Sequence, residues 1–207
     1  PADLAQHTLI ATFNDFVSVR RLFDKNKGQI SAVIVEPVPG NMGVIPPAPG
    51  FLDSLRKLTS QEGALLIFDE VISGFRVAFG GAQELLGIAP DLTVLGKIIG
   101  GGLPVGAFGG RGDIMDALSP VGPVYQAGTL SGNPLAVAAG IACLDELAKK
   151  GTYRKLNEKA DYLAEGLHGV FEKAGVPTWT NRVGSMWTTE KEAESAEFNR
   201  QAVFLRD

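Results

Sequence analysis

Cysteine is almost missing from this chain. One thiol, Cys143, is all that its 207 residues contain, so no disulfide closes within it and a reducing, cytoplasmic setting is expected. Cys143 falls in an apolar helical pattern, where the expected role is packing rather than nucleophilic chemistry. Positive charge is also in short supply. The 19 Lys and Arg against 23 Asp and Glu leave a net charge of −4, and no basic face is clustered, which argues against a nucleic-acid partner. No apolar run approaches the ~20 residues that span a bilayer, so no membrane partner is expected. The amino-terminal stretch lacks the charged and apolar regions of a secretion signal. Pro1-Ala2-Asp3 does not resemble a natural start, and the chain reads as a piece of a longer polypeptide. With 45% hydrophobic and 20% charged residues, it has ample material for a substantial core.

Two strand-like segments organise what is present. Leu65-Leu66-Ile67-Phe68 followed by Asp69-Glu70-Val71 reads as a buried parallel strand that delivers Asp69 to the carboxyl edge of a sheet, where open α/β sheets bind ligands. Thr93 to Gly96 reads as a second strand that delivers Lys97 to the same edge, ahead of the glycines Gly100 to Gly102. Alone, an acid at a strand end is ordinary and a lysine beside glycines is usually a solvated turn residue. Together they suit pyridoxal phosphate, held as a lysine Schiff base with a carboxylate on its pyridinium nitrogen. Val71 lies two residues beyond Asp69, on the same face of the strand, where it can pack against the ring. Glu70 points the other way and is expected to form a structural ion pair, with Arg76 as the nearest candidate. No metal site is expected.

The rest of the chain alternates strands and helices. Thr8 to Phe13 predicts a strand, and Asn14 is placed to cap a helix from Asp15 to about Asn26. Ile30 to Val35 predicts a β-branched strand running into the loop Glu36-Pro37-Val38-Pro39-Gly40-Asn41-Met42-Gly43. Pro49-Gly50 opens a helix that carries Phe51, Leu52, Leu55 and Leu58 on one face and ends near Gly63. Further on, Ala82 to Leu86 predicts a short helix, Pro104 to Gly109 a strand and Arg111 to Leu118 another short helix. Tyr125 to Gly132 is a Gly-containing loop before a helix that starts at Pro134, capped by Asn133. Two long helices follow, Leu135 to Lys149 and about Tyr153 to Ala174, and their apolar stripes are expected to pack. From Gly175 the chain is expected to enter a second, smaller domain, which divides it into 1–174 and 175–207.

The block D-E-V-x-x-G-F-R and the later D-L-x-x-x-G-K-x-x-G-G-G resemble the class-III aminotransferases of the fold-type-I pyridoxal-phosphate superfamily. The stretches E-P-V-x-G-N-M-G, G-G-A-Q-E and Y-Q-A-G-T-L-S-G-N-P-L-A resemble its aminomutase branch, with Ile72-Ser73 in place of that branch's usual Met-Thr. The resemblance implies a mostly parallel sheet with helices on both faces, followed by the start of a small α+β domain. It implies an intramolecular amine exchange that uses the pyridoxal and pyridoxamine forms of the cofactor. The alternatives are an aminotransferase with another amino donor and a non-catalytic remnant. Lys97 would carry the cofactor, Asp69 its ring nitrogen and Asn41 its ring hydroxyl. Gly128 and Thr129 would contact the phosphate across a homodimer interface, so that active sites are shared. The ring-stacking aromatic, the remaining phosphate loop and the basic residue for the substrate carboxylate belong to the family's amino-terminal half, upstream of this chain. The acidic stretch Glu190 to Glu197 departs from the family.

Overall fold

A computed structural model describes residues 5–191 and 202–206. Its centre is a six-stranded sheet in the order β1-β8-β2-β3-β4-β5, formed by β1 (Thr8–Ala11), β2 (Ile30–Val35), β3 (Leu65–Asp69), β4 (Leu92–Leu95), β5 (Ala107–Gly110) and β8 (Ala202–Arg206). β2, β3 and β4 pair in parallel, whereas β5 runs against β4 and β8 runs against both β1 and β2. Strands β1 to β4 therefore share one direction, and their carboxyl ends share one edge. This is the mostly parallel α/β sheet that the βαβ pattern predicts.

Two helices build the core over the first three strands. In α1 (Phe16–Lys25) Val19 and Phe23 are buried, and in α2 (Phe51–Glu62) Phe51, Leu52, Leu55 and Leu58 are buried. They pack with Val33, Val35, Leu66 and Phe68 of the sheet, and Phe13 meets Phe51 edge-on at 5.2 Å. Each fully buried aliphatic or aromatic side chain here contributes about 1.5–3 kcal/mol. Gly50 and Gly63 flank α2 with φ of 79° and 71°, a left-handed turn that glycine adopts without penalty. The cap of α1 is Asp15, not Asn14: Asp15 Oδ1 accepts from Ser18 N at 3.0 Å. Asn14 instead takes a left-handed φ of 63°, which its short amide side chain tolerates. From there it donates to the Pro46 carbonyl and accepts from Ala48 N, tying the β1–α1 turn to the loop before α2.

Asp91 locks β4 into the sheet. Only 5% exposed, it accepts from Leu66 N at 2.7 Å, from Arg56 at 2.8 Å and from Arg111 at 2.9 Å. Burial pushes its carboxyl up, but the Leu66 N–H and the two guanidinium groups outweigh burial and hold it below the usual aspartate value.

Glu70 corrects the sequence-based expectation of an ion pair. It is 1% exposed and accepts from Ser73 Oγ, Ala82 N, Gln83 N and Gln83 Nε2, so it caps α3 (Gly81–Leu86). Arg76 lies exposed. A carboxylate buried on the core side of a strand end needs donors at no extra desolvation cost, and the unsatisfied N–H groups of a first helical turn supply them.

The short α4 covers Gly112–Met115, followed by α5 (Pro134–Ala148) and α6 (Thr152–Lys173). Their packing differs from expectation. α5 buries only Ala136 and Gly140, and α6 only Ala160, while Leu163 and Val170 are exposed. No described helix is long and apolar enough to cross a membrane. Beyond α6, β6 (Thr178–Val183) and β7 (Met186–Lys191) form a separate antiparallel hairpin. It docks through Asn181 Nδ2, which donates to the Gly43 carbonyl at 3.0 Å, and through Met186, buried with Val38, Val44 and Val77. The expected small domain thus covers a hairpin of its own, whereas β8, within 175–207, lies in the main sheet. Of the acidic stretch, residues 192–197 lie outside the described residues.

Candidate active site

β2 and β3 run in register with Val35 opposite Phe68. One residue past that pair, Glu36 follows the end of β2 and Asp69 ends β3, at the tips of neighbouring strands whose usual spacing is about 4.8 Å. Asp69 turns its Oδ1 to accept from Val71 N at 3.0 Å, which fixes the carboxylate at the strand end. Glu36, half-buried, accepts from Gly40 N at 3.2 Å. Burial pushes the Glu36 carboxyl up and the negative charge of Asp69 adds to this, while the Gly40 N–H and the positive charge of Lys97 oppose it. Asp69 and Lys97, taken from two separate strands, therefore act on one point.

Lys97 follows β4 and begins a single 3₁₀ turn, Lys97–Gly100, with φ of 45°. A left-handed non-glycine residue costs on the order of 1 kcal/mol or more and persists where its surroundings over-determine it. The clamp is visible on both sides. A side chain at Gly96 would press on Val71 Cγ1 at 3.3 Å, and one at Gly100 would meet Val105. Across the turn, a Cβ on Gly101 would overlap the Ala139 carbonyl, and one on Gly140 would overlap the Ile99 carbonyl. The glycines after Lys97 let α5 cross the turn backbone to backbone, and this ties the lysine to the helix that follows the Gly128 loop.

The other sequence-derived residues occupy two further places. Asn41 is exposed and lines a cleft of about 310 Å³ with Ile72, Arg76, Met186 and Trp187. Gly128 lines a cleft of about 260 Å³ against Val105 and Gly106, at the start of α5. Asn133 caps that helix, accepting from Leu135 N and Ala136 N, so the first helical donors serve the cap. Thr129 is exposed beside it. Val71 thus lies against Gly96, next to Lys97, whereas Asn41 and Gly128 line clefts that share no residue. A cleft of about 570 Å³ behind Glu70, lined by Phe75, Phe79, Gln83 and Leu95, holds none of these residues, and its one buried acid is committed to capping α3.

Glu36 is the member of the site that motif reading passed over. The available signal was its position at the end of a strand that pairs with the Asp69 strand. A primary amine beside two carboxyls at a strand edge suits reversible bonding to a carbonyl carbon and the shuttling of a proton. This donor set also fits pyridoxal phosphate: an amine for the aldehyde, an acid for the ring nitrogen and an apolar wall at Val71.

Comparison with known proteins agrees with this geometry. The chain is 62% identical over 188 residues to the glutamate-1-semialdehyde 2,1-aminomutase of Heliobacterium modesticaldum, covering 91% of this chain and 43% of that protein. To the enzyme of the same name from Geotalea daltonii it is 57% identical over 210 residues, covering 96% of this chain and 49% of the relative. It thus spans less than half the length of these relatives. Among solved structures, an omega-transaminase from Sphaerobacter thermophilus superposes with a TM-score of 0.82 at 37% identity, over 90% of this chain and 43% of that one. A glutamate-1-semialdehyde-aminomutase from Pseudomonas aeruginosa PAO1 in complex with PMP gives 0.76 at 29% identity, over 89% and 42%. The profile described as aminotransferase class-III matches residues 6–205, and the chain belongs to the class-III aminotransferase family.

Proposed function

We propose that the full-length protein is a cytoplasmic, pyridoxal-phosphate-dependent aminomutase that converts glutamate-1-semialdehyde to 5-aminolevulinate for tetrapyrrole synthesis. The observation that carries this reading is the convergence of Lys97 and Asp69 at the carboxyl edge of one sheet, in a chain 57% to 63% identical to aminomutases of that name. When bound, the cofactor supplies an aldehyde that takes up an amine and a ring that withdraws electrons. Lys97 holds that aldehyde through its amine and afterwards moves the proton between neighbouring carbons. Asp69 keeps the ring nitrogen protonated, since an adjacent negative charge favours the protonated form. Val71 walls the ring, and Asn41 serves its hydroxyl. The amine count of the substrate is unchanged, so no keto-acid acceptor takes part.

The whole enzyme acts as a homodimer in which Gly128 and Thr129 serve the phosphate in the neighbouring subunit. An exposed apolar band supports this: Val121, Tyr125, Leu130 and Leu135 are 77%, 82%, 63% and 69% exposed around the loop, and such a band calls for a covering partner.

Borohydride reduction of the full-length protein followed by peptide mapping tests the lysine. The pyridoxyl label is expected on Lys97, and a label on any other lysine rejects the assignment. Lys97→Ala is expected to lower turnover by at least ~10²–10⁴-fold. Turnover of the semialdehyde without a keto acid separates the aminomutase from an aminotransferase with another donor. Mixing Lys97→Ala with Thr129→Ala subunits tests sharing: one site of the mixed dimer would then carry neither lesion, so activity should return, and verified exchange without recovery counts against a shared site.

A further inference from the structure

The backbone of Glu36 is fixed at the end of β2, next to the strand that ends in Asp69. Its backbone continues the register of β2 with β3, the following Pro37 fixes φ, and Pro37, Val38 and Pro39 are buried. The loop beyond is closed by Val44 N donating to the Gly40 carbonyl and Ile45 N donating to the Pro39 carbonyl, both at 3.2 Å. The charged groups bearing on its carboxyl from neighbouring elements are Asp69 at the end of β3 and Lys97 after β4; its own loop offers the Gly40 N–H. Two carboxyls at the ends of paired strands do not both ionise cheaply, and a nearby ammonium decides how far the second one does.

We propose that Glu36 is a further positioning residue of the cofactor site: a second carboxyl beside Asp69 whose proton follows the charge of Lys97 and sets the charge of the acid pair. This rests on the cofactor reading above. While Lys97 is an ammonium, it draws Glu36 toward the ionised form. When the lysine nitrogen gives up its charge, Glu36 takes a proton from water, and Asp69 is left as the single negative charge facing the ring nitrogen. The acid pair thus loses one negative charge when the lysine loses its positive one, and one negative charge remains for the ring nitrogen in both states. Asp69 alone would hold the same charge throughout.

The first experiment needs no cofactor. In the full-length protein stripped of cofactor, the Glu36 carboxyl is titrated by carbon-13 NMR. Its midpoint is expected above the ordinary glutamate value of about 4.3, to fall in Asp69→Asn, where a like charge is removed, and to rise in Lys97→Ala, where an opposite charge is removed. An ordinary midpoint, or one that neither substitution moves, overturns the proposal. These two variants decide the matter even where Glu36→Gln fails to fold. The second experiment follows the cofactor absorption band of the isolated holoenzyme against pH. With Glu36→Gln the negative charge that favours the protonated cofactor is lost, so the cofactor should give up its proton at a pH lower by roughly half a unit or more. An unmoved midpoint overturns the proposal while leaving the cofactor reading intact. A wild-type protein with no such band defeats the cofactor reading itself, and the proposal with it.

Discussion

Helices α2 and α5 both follow a proline or begin on one, and they meet opposite fates. α2 alternates apolar and polar residues at helical spacing and buries Phe51, Leu52, Leu55, Leu58 and Thr59 against the sheet. α5 is the more apolar of the two, yet among its residues only Ala136 and Gly140 are buried, while Leu135, Val137 and Ile141 are 69%, 43% and 57% exposed. The small residues of α5 are the ones turned inward, because they must let its backbone approach the Lys97 turn. An amphipathic helix states which face the subunit covers. A helix apolar on all sides states only that more than one surface covers it.

Removing the core contact of α2 should have the largest effect on folding. Leu55→Ala is expected to cost about 2–5 kcal/mol in denaturant unfolding of the full-length protein, since the site is fully enclosed and a cavity remains; a loss below ~1 kcal/mol would mean that the α2 side is no better packed than α5. Gly140→Ala comes next. Its methyl would overlap the Ile99 carbonyl, so about 1–3 kcal/mol is expected from overpacking, together with weaker cofactor retention because the turn holding Lys97 must shift. Unchanged retention would show that the backbone contact does not position the lysine. The smallest folding effect belongs to Ile141→Ser, within ~0.5 kcal/mol for the subunit. It should nevertheless weaken subunit association in sedimentation at graded concentration, and an unaltered association constant would place the subunit contact elsewhere.

The legible part of the site consisted of residues whose positions follow from local pattern. Asp69 and Lys97 could be placed together because an apolar run that ends in an acid, and a second that ends before a lysine, must finish at one edge when strands are parallel. Asn133 was legible as a cap because the residue after it, Pro134, suits a first helical position. Glu70 was not legible. Its partners Ala82 and Gln83 lie 12 and 13 positions away, and a charged residue beside an arginine in sequence says nothing about which of them the core encloses. Asn14 and Asp15 are both good caps by type, and the choice fell to the 34-residue reach of Asn14 to Ala48.

The sequence by itself thus determined the order of strands and helices as far as β7, the helix ends marked by glycine and proline, and the arrival of Asp69 and Lys97 at one sheet edge, since each depends on spacing along the chain and on side-chain type. Tertiary structure alone decided that Glu36 stands beside Asp69, that the glycines after Lys97 serve a backbone crossing with α5, and that the large residues of α5 face outward. Each of these is a relation between segments far apart in sequence. Such relations depend on which strands pair, in which register, and on how closely two backbones approach, and no local periodicity carries that information.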